Sequence, residues 1–214
     1  MGRLRYIKGS EEAIAKSPYV IHAPGERYFE KEGELRIEVG MGKGRFIMDM
    51  ALREPQVNFI GIERYESVLL RGLQKYEKLS LEGNELSNLR FLCIDALDIG
   101  DYFDRESVDR IYLNFSDPWP KERHAHRRLV CDRFLKRFGR ILKKDGLIEF
   151  KTDNEGLFDF ALTQVDISGF EILAQTRDLH HDEQLNAGNV MTEYEERFSA
   201  KGNRIYKLIL RERV

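Results

Sequence analysis

Short apolar runs of strand length recur along this chain, each parted from the next by a longer segment of helical period. Residues 35–40, 58–63, 89–95, 108–115 and 146–152 read as five strands, rich in Leu, Ile, Val and Phe. Residues 45–52, 66–79 and a shorter turn at 97–103 lie between the first four; 128–142 bridges the fourth and fifth, and 157–165 follows. Strands alternating with helices predict an α/β fold, a doubly wound and mostly parallel sheet. The end of the chain departs from this rhythm. Residues 170–176 and 204–211 read as two further strands around a long polar loop at 177–203, and so long a loop is usually functional or disordered. No repeat, low-complexity tract or Pro/Ser-rich linker divides the 214 residues, which predicts a single domain over 1–214, with 1–30 as an N-terminal arm and lead-in helix region.

Open sheets of this kind bind ligands outside the carboxyl ends of their strands. Glu38 to Gly40, Glu63, Asp95, residues 114–119 and residues 152–154 all fall at such ends, so five polar or glycine-rich tips converge on one crevice. The first tip, Glu38-Val39-Gly40-Met41-Gly42-Lys43-Gly44, leads from a strand into a helix, where glycines allow a tight turn and close backbone approach to a ligand. A P-loop needs four residues between its first glycine and a Gly-Lys followed by Ser or Thr, which Gly40 and Gly42 do not supply. A dinucleotide fingerprint needs glycine at position 45, and the residue there is Arg45. Glu63 suits ribose hydroxyls, as an acid does at the same place in nucleotide-binding sheets.

The fourth tip is the most informative. In Asn114-Phe115-Ser116-Asp117-Pro118-Trp119-Pro120-Lys121 two prolines fix φ near −65° and restrict the residues before them, so the loop is stiff. Stiffness suits a site that must hold an acceptor atom in line with a breaking bond.

The E-x-G-x-G-x-G string resembles the first motif of Rossmann-like S-adenosylmethionine-dependent methyltransferases, and the loop after strand four resembles the acceptor motif of their nitrogen-modifying members. Over nearly its whole length the chain is similar to bacterial tRNA (guanine-N7-)-methyltransferases. The resemblance is carried by Glu38 to Gly44, Gly61 to Glu63, Tyr112 to Lys121 with Arg123-His124 and Arg127-Arg128, Phe150 to Asn154, and Gly188-Asn189-Val190-Met191-Thr192-Glu193-Tyr194-Glu195. It implies a Rossmann-like fold closed by a C-terminal antiparallel hairpin, S-adenosylmethionine as methyl donor and N7 of a guanine in the tRNA variable loop as acceptor, giving 7-methylguanosine. It also implies that Glu38, Gly40, Gly42, Gly44, Glu63, Asp95 and Asp117 hold the donor, with Asp95 at the adenine amine and Asp117 as the catalytic residue. Lys121, Asp153, Thr192, Glu193, Tyr194 and Glu195 match its tRNA positions. Glu63 stands where relatives have aspartate, and residues 81–87 look like a small insertion.

The chemistry agrees with the resemblance. Guanine N7 has a lone pair and no proton, so it attacks a sulfonium methyl without a general base, and positive charge arrives on the purine. A fixed carboxylate stabilises that charge, and carboxylates at Asp117, Asp153 and Glu195 suit the N1–H and amino edge of guanine.

Net charge is −2, but the distribution is uneven. Between Lys121 and Lys144 ten Lys or Arg face Glu122 and Asp132, a local +8 that leaves −10 for the rest (−2 minus +8). Lys121, Arg123, His124, Arg127 and Arg128 follow the acceptor loop directly and are expected to touch tRNA phosphates. Arg133, Lys136, Arg137, Arg140, Lys143 and Lys144 gather on the far face of a helix predicted to continue from Arg128, a face most simply explained as solvated. Arg3 and Arg5 offer a basic arm. Cys93 and Cys131 lack metal-ligand spacing, His180 and His181 point apart, and no metal site is expected. No leader-like segment or apolar run of roughly 18 residues is present, so a cytoplasmic protein with no membrane partner is expected. Monomer and homodimer both stay open. A methyltransferase acting on a small-molecule or protein nitrogen, a nicotinamide-dependent dehydrogenase and a non-catalytic RNA-binding protein are the alternatives. The basic cluster opposes the first, Arg45 the second, and the intact glycine loop with Asp117 the third.

Overall fold

The computed structural model describes residues 6–26 and 28–213; the basic arm expected from Arg3 and Arg5 lies outside them. In chain order the elements are α1 (Ser10–Lys16), β1 (Val20–Ile21), β2 (Leu35–Val39), α2 (Arg45–Arg53), β3 (Asn58–Ile62), α3 (Glu66–Leu81), β4 (Leu89–Leu92), α4 (Ile99–Tyr102), β5 (Val108–Asn114), α5 (Asp132–Ile141), β6 (Leu142–Thr152), α6 (Glu155–Ser168), β7 (Phe170–Thr176), α7 (Glu193–Ser199) and β8 (Tyr206–Glu212). Among the described residues the strands form one eight-stranded sheet in the order β1-β4-β3-β2-β5-β6-β8-β7. Pairing is parallel from β1 to β6, and β8 runs antiparallel to both β6 and β7. This is the expected α/β sheet with its antiparallel C-terminal hairpin.

Alternate strand residues bury on opposite faces, as a period of two requires. Ile37, Ile60, Ile62, Ile111 and Leu113 join Phe134, Phe138 and Phe158 in one core. Phe59, Leu89, Phe91 and Tyr112 join Phe46, Leu69 and Tyr76 in the other. Helices α2 and α3 therefore cover one face, and α5 and α6 the other. Local signals set the ends of these helices. Asn154 Oδ1 accepts from the Leu157 amide at 2.8 Å to open α6, and Gly169 at φ 84° closes it.

Three segments differ from the sequence reading. The helix predicted over 128–142 begins only at Asp132 and ends at Ile141; a 3-10 helix (Glu122–Arg127) precedes it, and Lys143 and Lys144 stand on β6. Lys143 Nζ donates to both carboxylate oxygens of Asp109 at 2.8 and 2.9 Å, so it does not continue a basic helix face. The loop at 177–203 is also ordered, and holds a 3-10 turn (Leu179–His181) and α7. Finally, β1 adds a short edge strand beside β4. Among the described residues no helix is long and apolar enough to cross a membrane, and no cluster of three or more His, Cys, Asp or Glu could hold a metal.

Candidate active site

The glycine loop rises from the end of β2. Gly40 and Met41 both donate their amides to Ile62 O, at 2.9 and 3.0 Å, which folds the loop over the tip of β3. Gly40, Gly42 and Gly44 have φ of 79°, 60° and 73°, the left-handed region that glycine enters without Cβ strain. Met41 is driven inward between β3 and α3: a Cβ on Gly61 would stand 2.3 Å from its Sδ, and one on Gly72 3.1 Å from its Cε. The loop is thus nailed down by its methionine, with Gly40, Gly42 and Gly44 lining the cleft above.

Two cavities flank this loop and share Gly40 and Phe115. One, of about 300 Å³, is lined by Glu38, the glycines, Asn114, Thr192 and Tyr194. The other, of about 370 Å³, is lined by Glu63, Arg64, Tyr65, Ser116, Asp117 and Trp119. Burial in a protein normally satisfies every polar atom. Among the described residues, three of the buried side-chain atoms left without a hydrogen-bond partner belong to these linings: Glu38 Oε2, Asn114 Oδ1 and Ser116 Oγ. Unsatisfied polar atoms gathered round a glycine cradle are what a polar ligand is needed to complete, and the site fits a methyl donor with ammonium and hydroxyl groups.

Glu38 is 2% exposed, and Asn114 Nδ2 donates to its Oε1 at 2.9 Å. Burial pushes its carboxyl up to about 8, against the opposing pull of Asn114 and Lys151. Glu63 accepts from the Gly42 amide at 3.1 Å and from the Tyr65 amide at 3.0 Å. Burial raises its pKa too. Asp95 spends one oxygen on the Leu97 amide at 3.0 Å, while the other faces Arg64 at 3.4 Å. Asp117 accepts no hydrogen bond from the described residues. Burial raises its pKa, and Arg64 opposes that rise. Arg64, which the sequence reading passed over, therefore faces Glu63, Asp95 and Asp117 together.

The acceptor loop is strained as well as stiff. Phe115 and Trp119 have φ of 50° and 42°, a region that costs a non-glycine residue on the order of 1 kcal/mol or more. Arg128, expected beside a phosphate, holds it there. Its Nε donates to Pro118 O at 2.9 Å, its Nη2 donates to Trp119 O at 3.0 Å, and its guanidinium lies 4.3 Å over the Phe160 ring. Lys121, Arg123 and Arg127 remain exposed beside the loop. Arg127 lies over the Trp119 ring at 5.0 Å, and His124 meets that ring edge-on at 5.8 Å.

The 192–195 segment divides between cleft and interior. Thr192 Oγ1 caps α7 by accepting from the Glu195 amide at 2.9 Å. Glu193 pairs with Lys75 at 2.5 Å, and Tyr194 lines the cleft. Glu195, expected among the guanine-reading carboxylates, has a side chain that is 0% exposed and faces inward. It accepts from Lys151 Nζ at 2.6 Å and Asn189 Nδ2 at 2.8 Å, and it meets His180 Nε2 at 3.1 Å. Lys151 also donates to Val190 O at 2.9 Å, so one buried cation organises the ordered loop. Asp153 accepts from Asn203 at 3.2 Å and lies at the Tyr194 hydroxyl, whose pKa burial and then Asp153 push up.

A family model described as "Putative methyltransferase" matches residues 32–208. The tRNA (guanine-N(7)-)-methyltransferase of Lachnoclostridium phytofermentans is 52% identical over 213 residues, 97% of each chain. Its counterpart from Geobacillus sp. (strain WCH70) is 46% identical over 212 residues, 96% of this chain and 93% of that one. Among solved structures, a SAM dependent methyltransferase from Aquifex aeolicus shares the fold at a TM-score of 0.57 and 15% identity, covering 84% of this chain and 82% of that one. The chain belongs to the tRNA (guanine-N(7)-)-methyltransferase family.

Proposed function

We propose that this chain transfers the methyl group of S-adenosylmethionine to N7 of a guanine in the variable loop of tRNA, in the cytoplasm, forming 7-methylguanosine. The observation that carries the reading is one cavity that brings Asp117, on its strained loop, into the same lining as Gly40 and Glu63. When bound, S-adenosylmethionine supplies an electrophilic methyl on a sulfonium. Glu38, oriented by Asn114, receives the amino-acid ammonium on its unpartnered oxygen. Glu63 takes the ribose hydroxyls, Asp95 the adenine amine, and Gly40, Gly42 and Gly44 let the backbone approach. Asp117 lies beside the acceptor guanine, where its carboxylate stabilises the positive charge that N7 methylation places on the ring. No residue is needed as a base, because N7 carries no proton.

Lys121, Arg123, His124 and Arg127 hold flanking phosphates, while Asp153 borders the base. Incubation of labelled S-adenosylmethionine with tRNA tests the proposal, followed by borohydride and aniline scission at 7-methylguanosine. Wild type should yield one cleavage site. Asp117→Ala should lose turnover by at least 10²-fold (roughly one well-placed charge-stabilising group) with little loss of tRNA affinity. Equal losses in both would refute the role given to Asp117, and absence of labelled tRNA would refute the function.

A further inference from the structure

The site contains an aromatic column that the reading above does not use. Phe115 turns at φ 50° so that its ring lines both cavities. Behind it stands Tyr194, centroid to centroid 5.0 Å and tilted 38°, and behind Tyr194 stands Phe198 at 4.0 Å and 15°, a close stack. Tyr194 and Phe198 are four residues apart on α7, so the helix itself sets their alignment. The helix is fixed at several points. Buried Glu195 holds it to Lys151 on β6, Glu196 to Arg45 on α2, and Glu193 to Lys75 on α3. Arg197 and Lys201 lie over the Phe198 ring at 4.8 and 5.0 Å, which makes the outer end of the column cationic. Tyr194 is nevertheless 41% exposed, an apolar ring kept at the cleft.

We infer that Phe115, propped by Tyr194 and Phe198, is the stacking floor for the nucleobase drawn out of the tRNA, and that Arg197 and Lys201 take phosphates next to it. A purine is the occupant that fits, because the ring floor and the Asp117 carboxylate share one cavity, giving a face to stack on and an acceptor for the N–H edge. The other aromatics in that lining are already engaged: Trp119 is covered by Arg127 and edged by His124, and Arg64 lies over the Tyr65 ring at 4.7 Å. Tyr194 packs against both Phe115 and Phe198, which makes it the support and Phe115 the ring that meets the base. This inference rests on the tRNA reading.

The test uses tRNA carrying 2-aminopurine at the methylated position, bound to the full-length protein, together with kcat/KM on unmodified tRNA. Stacking on an aromatic ring is worth on the order of 5- to 150-fold in affinity per base. Phe115→Leu should therefore lower kcat/KM by about 10- to 100-fold, and bound 2-aminopurine should brighten as its quenching partner is lost. Phe115→Tyr should keep both values near wild type, and Tyr194→Leu and Phe198→Leu should fall between. Unchanged emission and kcat/KM within twofold for Phe115→Leu would overturn the stacking floor, as would a Phe115→Tyr protein as impaired as Phe115→Leu. Wild type that neither binds nor methylates tRNA would instead overturn the function on which the floor depends.

Discussion

Replacing Arg128 separates positioning from electrostatics in the acceptor loop. Its guanidinium makes two hydrogen bonds, to Pro118 O and Trp119 O, and packs over Phe160. Each bond from a charged donor contributes about 1.5–3 kcal/mol, and the ring contact about 0.5–1 kcal/mol. Arg128→Lys keeps the charge but cannot span both carbonyls, a loss of about 2 kcal/mol; Arg128→Ala loses about 4 kcal/mol. Strain at Trp119 amounts to about 1–3 kcal/mol, so the first change brings the two terms level and the second lets the loop relax. With the two terms level the loop keeps its shape about half the time, so kcat should fall about twofold for Arg128→Lys. With about 1–3 kcal/mol of strain unopposed, it should fall about 5- to 150-fold for Arg128→Ala, at 1.4 kcal/mol per decade. Single-turnover methylation measures this directly, with tRNA binding followed against salt in parallel. A phosphate contact would behave differently: Arg128→Ala would reduce the salt slope by about one with kcat preserved. That pattern would refute the positioning role.

Glu38 makes donor binding pH-dependent. Its pKa is raised from 4.5 to about 8, so the stability from burying the neutral carboxyl is whole below about pH 4.5 and lost as pH rises through about 8. An ammonium ligand favours the carboxylate, so affinity for S-adenosylmethionine should weaken by up to about tenfold per pH unit below 8, with proton release on binding. Calorimetry in buffers of different ionisation enthalpy should detect that proton; a flat affinity profile from pH 6 to 8 would refute it. Glu195→Gln should destabilise the protein by about 3–5 kcal/mol in denaturant melts, because it leaves Lys151 buried and unpaired. Lys151, Asn189 and His180 outweigh burial and hold the Glu195 pKa below its ordinary 4.5, so its contribution is complete above about pH 4.5 and lost only in acid. Arg127→Ala should reduce the salt slope of tRNA binding by about one; an unchanged slope would count against it as a phosphate contact.

What could be read from the chain beforehand followed from periodicity and from strand tips. Residues 35–40, 58–63, 108–115 and 170–176 fell within a residue of the observed strands, because apolar runs of that length bounded by turn residues have few other uses. The glycine loop and Glu63 were legible for the same reason. The break at Cys131 was not, since Val130 keeps helical phase with Phe134 and is buried in the same core although it precedes the helix. Helix α7 had a signature: Thr192 followed by Glu195 has the spacing of a capping box. The sequence cannot show that Glu195 turns inward to Lys151, a residue 44 positions away. The contacts of Arg128 with Pro118 O and Trp119 O were not legible, because an arginine in a basic cluster looks the same in sequence whether it faces solvent or its own backbone. The Phe115–Tyr194–Phe198 column is invisible for a similar reason, as its first two members are joined only by folding.

The central claim is that the methyl group goes to guanine N7, and an atomic substitution tests it most directly. Two tRNA transcripts, one with guanine and one with 7-deazaguanine at the target, are incubated with labelled S-adenosylmethionine and the enzyme. The account predicts label in the first and none above background in the second, with similar binding of both. Equal labelling of the deaza transcript would contradict it, because that base has carbon where the proposed nucleophile should be.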